Sequence, residues 1–128
     1  MLAATKRTMN PDEPIFMVNL LKFKEKAKYK DGRETNLSGE EAYKVYMNGV
    51  DKIIRETLGG ALIFYGNVRA LMIGEVSRLW DVVVVVKYPS ISAFLALAKL
   101  VEDAGLSIHR EAGLEGQLLI ETILPSKL

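Results

Sequence analysis

The chain reads as blocks of sharply different hydrophobic rhythm. IFMVNLLKF, Ile15 to Phe23, is apolar nearly throughout, which at this length predicts a strand covered on both faces. Asn19 is the odd amide inside it. In KFKEKAKYKDGRET the rhythm turns to alternation: Lys22, Lys24, Lys26, Lys28 and Lys30 are interleaved with Phe23, Glu25, Ala27 and Tyr29. That period of two ends at the turn pair Asp31-Gly32. It predicts a strand extension or hairpin arm, a basic loop over 24–37, whose lysine edge blocks pairing with other chains. A phosphate-binding strip is the functional counterpart of that reading.

Ser38 and Glu41 then form an S-x-x-E capping box, which satisfies the free N–H groups at a helix start. From Glu40 to about Thr57 the apolar positions Tyr43, Tyr46, Val50, Ile53 and Ile54 fall on one stripe, with Lys44, Asp51, Lys52 and Arg55 opposite. Gly59 and Gly60 stop the helix. ALIFYGNV, Ala61 to Val68, and ALMIGE, Ala70 to Glu75, read either as one strand bent near Asn67 and Arg69 or as two short strands of a hairpin.

WDVVVVVKY, Trp80 to Tyr88, is the clearest strand, because β-branched valines lose little in a sheet and pack well there. Pro89 and Ser90 close it and cap a second helix, with Ile91, Phe94, Leu95, Ala98 and Val101 as its buried stripe and Gly105 at its end. Ser107 caps a further short turn carrying His109 and Arg110, ended by Gly113. The last strand is QLLIETIL, Gln117 to Leu124, stopped by Pro125. Residues 1–13 form an N-terminal extension, and no linker divides the chain, so 1–128 is expected to be one domain.

Strand, helix, strand, strand, helix, strand is the order of an α+β ferredoxin-like sandwich built on an antiparallel sheet. Two helices cover one face of such a sheet. Trp80, Val82, Val84 and Val86 alternate with Val83 and Val85, so both faces need cover. A twofold homodimer packed sheet to sheet buries the second face, at about 25 cal/mol per Å² of apolar area.

Composition mainly excludes. Lys plus Arg at 17 against Asp plus Glu at 16 gives a net charge of +1, with no global field to recruit nucleic acid or a membrane. The absence of cysteine rules out disulfides, thiolate metal sites and a cysteine nucleophile, and fits a cytoplasmic protein. No secretory core or membrane-spanning run is evident, which fits the same expectation. A single histidine leaves no ligand set for zinc or non-haem iron, so neither metal nor cofactor is expected. GxGxxG, GxxxxGK[ST] and GxSxG are absent, which removes a phosphate loop and a nucleophile elbow. RNA binding by the sheet lacks its aromatic RNP1 motif.

NPDEPIFMVNLLKFKEKAKYKDG, GEEAYKVYMNGV, LWDVVVVVKYPSISAFL and HREAGLEGQLLIETI resemble, in order and spacing, the blocks of domain of unknown function family 1330 in the dimeric α/β-barrel superfamily. The most specific elements are Trp80-Asp81 at the valine strand, Tyr88-Pro89-Ser90, and His109-Arg110 before Ala-Gly-Leu. The resemblance implies a dimeric α/β barrel with a pocket between sheet and helices, and no established activity. Related sequences carry Asp-Pro and then Tyr-Gln before the histidine, where this chain has KLVEDAGLS.

The residues support cofactor-free acid–base chemistry. Histidine exchanges a proton near neutral pH, arginine holds a carboxylate or oxyanion, and aspartate fixes an imidazole tautomer. His109, Arg110 and Asp81 have those types and are the catalytic candidates, with Asn19, Tyr43, Tyr46, Tyr65 and Trp80 as ligand-binding candidates. Against this, His109 and Arg110 can simply cap a helix or pair with Glu111 or Asp103, Asp81 can cap a strand, and Tyr43 and Tyr46 can pack the core. Asn19 needs hydrogen-bond partners within an apolar strand. Two functions follow. One is an enzyme of isomerase, dehydratase or oxygenase type acting on an apolar carbonyl- or carboxylate-bearing molecule. The other is a non-catalytic module binding a small ligand or a protein.

Overall fold

The computed structural model describes residues 11–126. All but the last three positions of the expected N-terminal extension lie outside the described residues. β1 (Ile15–Phe23) runs through the middle of the sheet, antiparallel to β3 (Val82–Tyr88) on one side and to β4 (Leu114–Thr122) on the other. β2 (Ala61–Asn67) pairs antiparallel with the far side of β3, giving the order β2-β3-β1-β4. α1 (Gly39–Glu56), α2 (Ile91–Asp103) and α3 (Ser107–Gly113) complete an α+β ferredoxin-like fold with one short extra helix before the last strand. Among the described residues no helix is long and apolar enough to cross a membrane.

Period-two burial explains the core. Ile15, Met17 and Leu21 of β1 and Val82, Val84, Val86 and Tyr88 of β3 point to the helices and are buried with Tyr43, Val50, Ile54, Leu97 and Val101. The capping box forms as the sequence predicts: Glu41 N–H donates to Ser38 Oγ at 3.0 Å, and Ser38 N–H donates to Glu41 Oε1 at 2.8 Å. The other sheet face carries Phe16, Val18, Leu20, Val83 and Val85, which are half-buried, with Phe64, Leu118 and Ile120 exposed. No element among the described residues covers it.

Several expectations are corrected. β3 begins at Val82, so Trp80 and Asp81 precede the strand rather than opening it. ALMIGE forms no strand; the β2–β3 connection is an exposed arm whose neck is closed by Val68 N–H donating to the Asp81 carbonyl at 2.8 Å. The basic segment is a loop with one bridge, Lys26 to Ser38, instead of a hairpin. Its alternation still decides burial, because Ala27 and Tyr29 pack inward while Lys26, Lys28 and Lys30 face solvent. On α2 Val101 is buried as expected, but the second buried residue is Leu97, while Leu95 is 65% exposed and Ala98 faces solvent. Nine of the thirteen positions of that helix are apolar, so its sequence stripe is ambiguous. Ser107 caps nothing: α3 starts after Leu106, and the Ser107 hydroxyl bonds to Glu102 at 3.4 Å.

Candidate ligand-binding site

A cavity of about 430 Å³ lies between the sheet and the helices. Its walls are mostly apolar: Met17, Met47, Val50, Val86, Phe94 and Leu119 among them. Three of its polar groups stand on different elements, Asn19 on β1, Arg110 on α3 and Gln117 on β4. They form one directional chain. Asn19 Nδ2 donates to the carbonyls of Met17 and Val84 at 3.3 and 3.4 Å. Its Oδ1 accepts from Gln117 Nε2 at 2.9 Å. Gln117 Oε1 in turn accepts from the Arg110 guanidinium. The amide that stands out in the β1 sequence is thus buried and fully answered, and it anchors the one cation in the cavity wall among the described residues.

Arg110 meets a neutral amide where a cation ordinarily meets a carboxylate. Among the described residues it forms no ion pair. A guanidinium carries its charge at every pH a protein meets, and it presents five N–H donors in a fixed fork. Beside it stand tyrosines held in their protonated, donating form. Burial pushes the Tyr43 phenol far above its ordinary value, reinforced by Tyr46 and opposed by Arg110. Burial likewise raises Tyr46, again against Arg110, and raises Tyr88 with help from Tyr46. Among the described residues the hydroxyls of these three tyrosines have no hydrogen-bond partner. The ring of Tyr43 packs 5.3 Å from that of Tyr46 and 5.5 Å from Phe23, so core packing and cavity lining are one role here.

Of the residues singled out in the sequence, Arg110, Asn19, Tyr43 and Tyr46 line this cavity; His109, Asp81, Tyr65 and Trp80 do not. The His109–Arg110–Asp81 grouping is not assembled. His109 leaves α3 away from the cavity, with Nδ1 2.8 Å from the Tyr29 hydroxyl and the two rings edge to face. Asp81 sits at the strand ends, where Oδ2 accepts from Phe23 N–H at 2.8 Å and Oδ1 pairs with Lys22 at 3.1 Å. Its own N–H donates to the Leu21 carbonyl at 2.8 Å, so it ties β1 to β3. Trp80 lies against Gly116, and the Tyr65 hydroxyl is buried on β2 with no partner among the described residues. The sequence reading missed Gln117, Tyr88 and Phe94. Gln117 had a signal, being a second amide in an apolar strand that Asn19 needs as a partner.

A larger groove of about 600 Å³ runs along the basic loop, walled by Lys26, Lys28, Arg33, Glu34 and Asn36 among others. Arg33 is engaged there already, paired with Asp31 and stacked 4.6 Å over the Tyr29 ring. Among the described residues no three His, Asp or Glu side chains are grouped as metal ligands.

No protein-family model and no curated protein matches the chain. Among solved structures it is similar to the RPA0582 protein of Rhodopseudomonas palustris, a protein of unknown function. The identity is 30% over 89% of this chain and 85% of that one, with a TM-score of 0.75. The methylated RPA0582 protein is 32% identical over 99% of this chain and 100% of that one, with a TM-score of 0.76. A dimeric protein of unknown function and ferredoxin-like fold from Bacteroides fragilis superimposes only loosely, at 11% identity over 90% of this chain and all of that one, with a TM-score of 0.46. At 30–32% identity to the RPA0582 protein over most of both chains, this protein belongs to the family of the Rhodopseudomonas palustris RPA0582 protein.

Proposed function

We propose that this protein binds a small, largely apolar molecule bearing a carboxylate or carbonyl oxygen, in the cavity between sheet and helices. One observation carries the reading: a guanidinium whose hydrogen-bond partner among the described residues is a neutral amide, set in an apolar cavity beside protonated tyrosines. An anionic oxygen would replace the missing carboxylate with a charge-assisted fork, roughly twice as strong as a neutral hydrogen bond. The apolar walls would take the rest of the ligand.

The geometry favours binding over turnover. An isomerase, dehydratase or oxygenase reaction without a cofactor needs a base at the reacting carbon, and His109 faces the other way. Glu102 is the one carboxylate in the cavity wall among the described residues, and Arg110 with the tyrosines would steady an enolate-like oxyanion.

The same reading places the chain in domain of unknown function family 1330, on the blocks quoted above, and makes it a cytoplasmic homodimer joined through the helix-free sheet face. Val83 and Val85 are the support for the dimer, since a lone chain leaves them without cover.

Calorimetric titration with aryl and medium-chain carboxylates, and with their isosteric primary amides, tests the site. The carboxylates are expected to bind about tenfold or more tightly than the amides. Equal affinity for the two sets, or no binding by either, overturns the reading.

A further inference from the structure

The connection between β2 and β3 carries a run of exposed apolar side chains. Leu71, Met72, Ile73, Val76 and Leu79 all face solvent, with Met72 at 86% and Ile73 at 91% exposure. The arm does not hang free of the sheet. Its return leg, Val76 to Trp80, lies over Lys22 and Gly116, with Arg78 paired to Glu115. Lys22 and Gly116 are opposite each other on β1 and β4. Lys22 alternates with the core residue Leu21, so this row belongs to the helix-free face. A Cβ on Gly116 would touch the Trp80 ring at 3.7 Å, which places the indole on that same face. The arm therefore rises from one end of the uncovered sheet.

We infer that the segment from Leu71 to Leu79 is a clasp that folds over a second copy of this chain. The inference rests on the homodimer proposed above. Area is the argument. The eight apolar side chains of that face, Phe64 at 53%, Leu118 at 47% and Ile120 at 45% exposure and Phe16, Val18, Leu20, Val83 and Val85 less exposed, offer accessible area on the order of 500 Å². A stable pairing removes about 800 Å² from each partner. The sheet face falls short by itself, and the arm is the adjoining apolar surface that supplies the difference. Twofold symmetry makes the contribution mutual, because each arm starts on the face that meets the partner.

The paired variant Met72→Ser with Ile73→Ser, and the single variant Ile73→Cys, test this. The chain has no cysteine, so the second gives a unique thiol at the tip. Sedimentation of the wild-type chain is expected to show a dimer, and the double serine variant a dissociation constant raised at least about tenfold with an unchanged far-UV spectrum. The thiol should react with a polar maleimide several-fold more slowly in the dimer than after dilution to monomer, a readout that holds even if the serine variant folds poorly. A wild-type dimer with unchanged affinity in the serine variant, and equal labelling in both states, overturns the clasp and leaves the dimer standing. A wild-type monomer overturns both. Binding of the wild-type dimer to phosphatidylglycerol vesicles, lost in the serine variant, assigns the tip to a lipid surface instead and overturns the clasp.

Discussion

His109 and Arg110 are neighbours in the chain, yet they serve different sides of α3. The Arg110 guanidinium reaches Gln117 in the cavity, while the His109 ring meets the Tyr29 hydroxyl on the basic loop at 2.8 Å. One short helix therefore links the loop to the site. Lys28 N–H to the Ala112 carbonyl at 2.9 Å and Lys24 N–H to the Gly113 carbonyl at 2.8 Å hold the same loop to the same helix. Lys30 pairs with Glu111 across the same junction.

Replacing His109 by Asn is accordingly expected to act on stability. Loss of a part-buried hydrogen bond costs about 1 kcal/mol, and Tyr29→Phe should cost a similar amount. In a double-mutant cycle the two losses should not add, since they remove the same bond. Thermal melts of the three variants give the coupling, and ligand affinity should stay within about twofold of wild type. A large loss of binding with unchanged melting would put His109 back in the site.

Replacing Arg110 by Met should spare the fold and remove the anion preference. The methionine fills much of the stem's volume, while the guanidinium's charged bonds, about 1.5–3 kcal/mol, are lost. Carboxylate affinity should fall about 10- to 100-fold, and amide affinity far less. Calorimetry on the two ligand series reads this difference directly.

What the sequence made legible was whatever local patterning decides. The capping box, the valine strand and the buried partner of each alternation are set within a few residues of themselves, and α1 and β3 follow from them. The cavity was legible only in part. Asn19 announces itself because an amide in an apolar strand must find partners, and Tyr43, Tyr46 and Arg110 were named for their chemistry. The grouping of His109 with Arg110 and Asp81 failed because adjacency along a helix turns side chains about 100° apart. No spacing rule reveals which side a third element occupies. Asp81 was misread for a related reason: extending the valine run two residues back put it on a strand, when its carboxylate is spent on Phe23 N–H and Lys22. On α2 the apolar surround hid which leucine faces inward.

The capping box gives a pH signature. The Ser38 backbone N–H, bonded to the Glu41 carboxylate, holds that group below its ordinary value of 4.5. A lowered native pKa means the stabilisation is fully present above the unfolded value and is lost as pH falls through the native one. The expected window is therefore below about pH 4.5, on the acid limb. Glu41→Gln should lower stability slightly at pH 7 and change little at the foot of that limb, where the wild-type carboxyl is already protonated, so the limb flattens. Ser38→Ala should cost about 1 kcal/mol at neutral pH, because the Glu41 N–H loses its acceptor. Melting temperature followed from pH 3 to 7 separates the two.

The junction that carries Arg110 depends on two glycines. At Gly39, the first residue of α1, a side chain would collide with the Lys24 carbonyl oxygen and crowd that of Gly113; at Gly113, the last residue of α3, it would collide with the Gly39 carbonyl oxygen. All of these obstacles are backbone, so none can swing aside as a flexible side chain would. Gly113→Ala must push α3 away from α1, and overpacking of this kind costs about 1–3 kcal/mol. The displacement also moves Arg110, three residues earlier on the same short helix. Ligand affinity should therefore fall along with stability, which distinguishes this variant from His109→Asn. Gly105→Ala is the control, since a Cβ there meets nothing within 4 Å but its φ of 70° strains any other residue. That change should lower the melting temperature and leave carboxylate binding at saturating stability unchanged. If Gly113→Ala melts lower and still binds carboxylate with wild-type affinity, the seat of α3 on α1 does not set the position of Arg110.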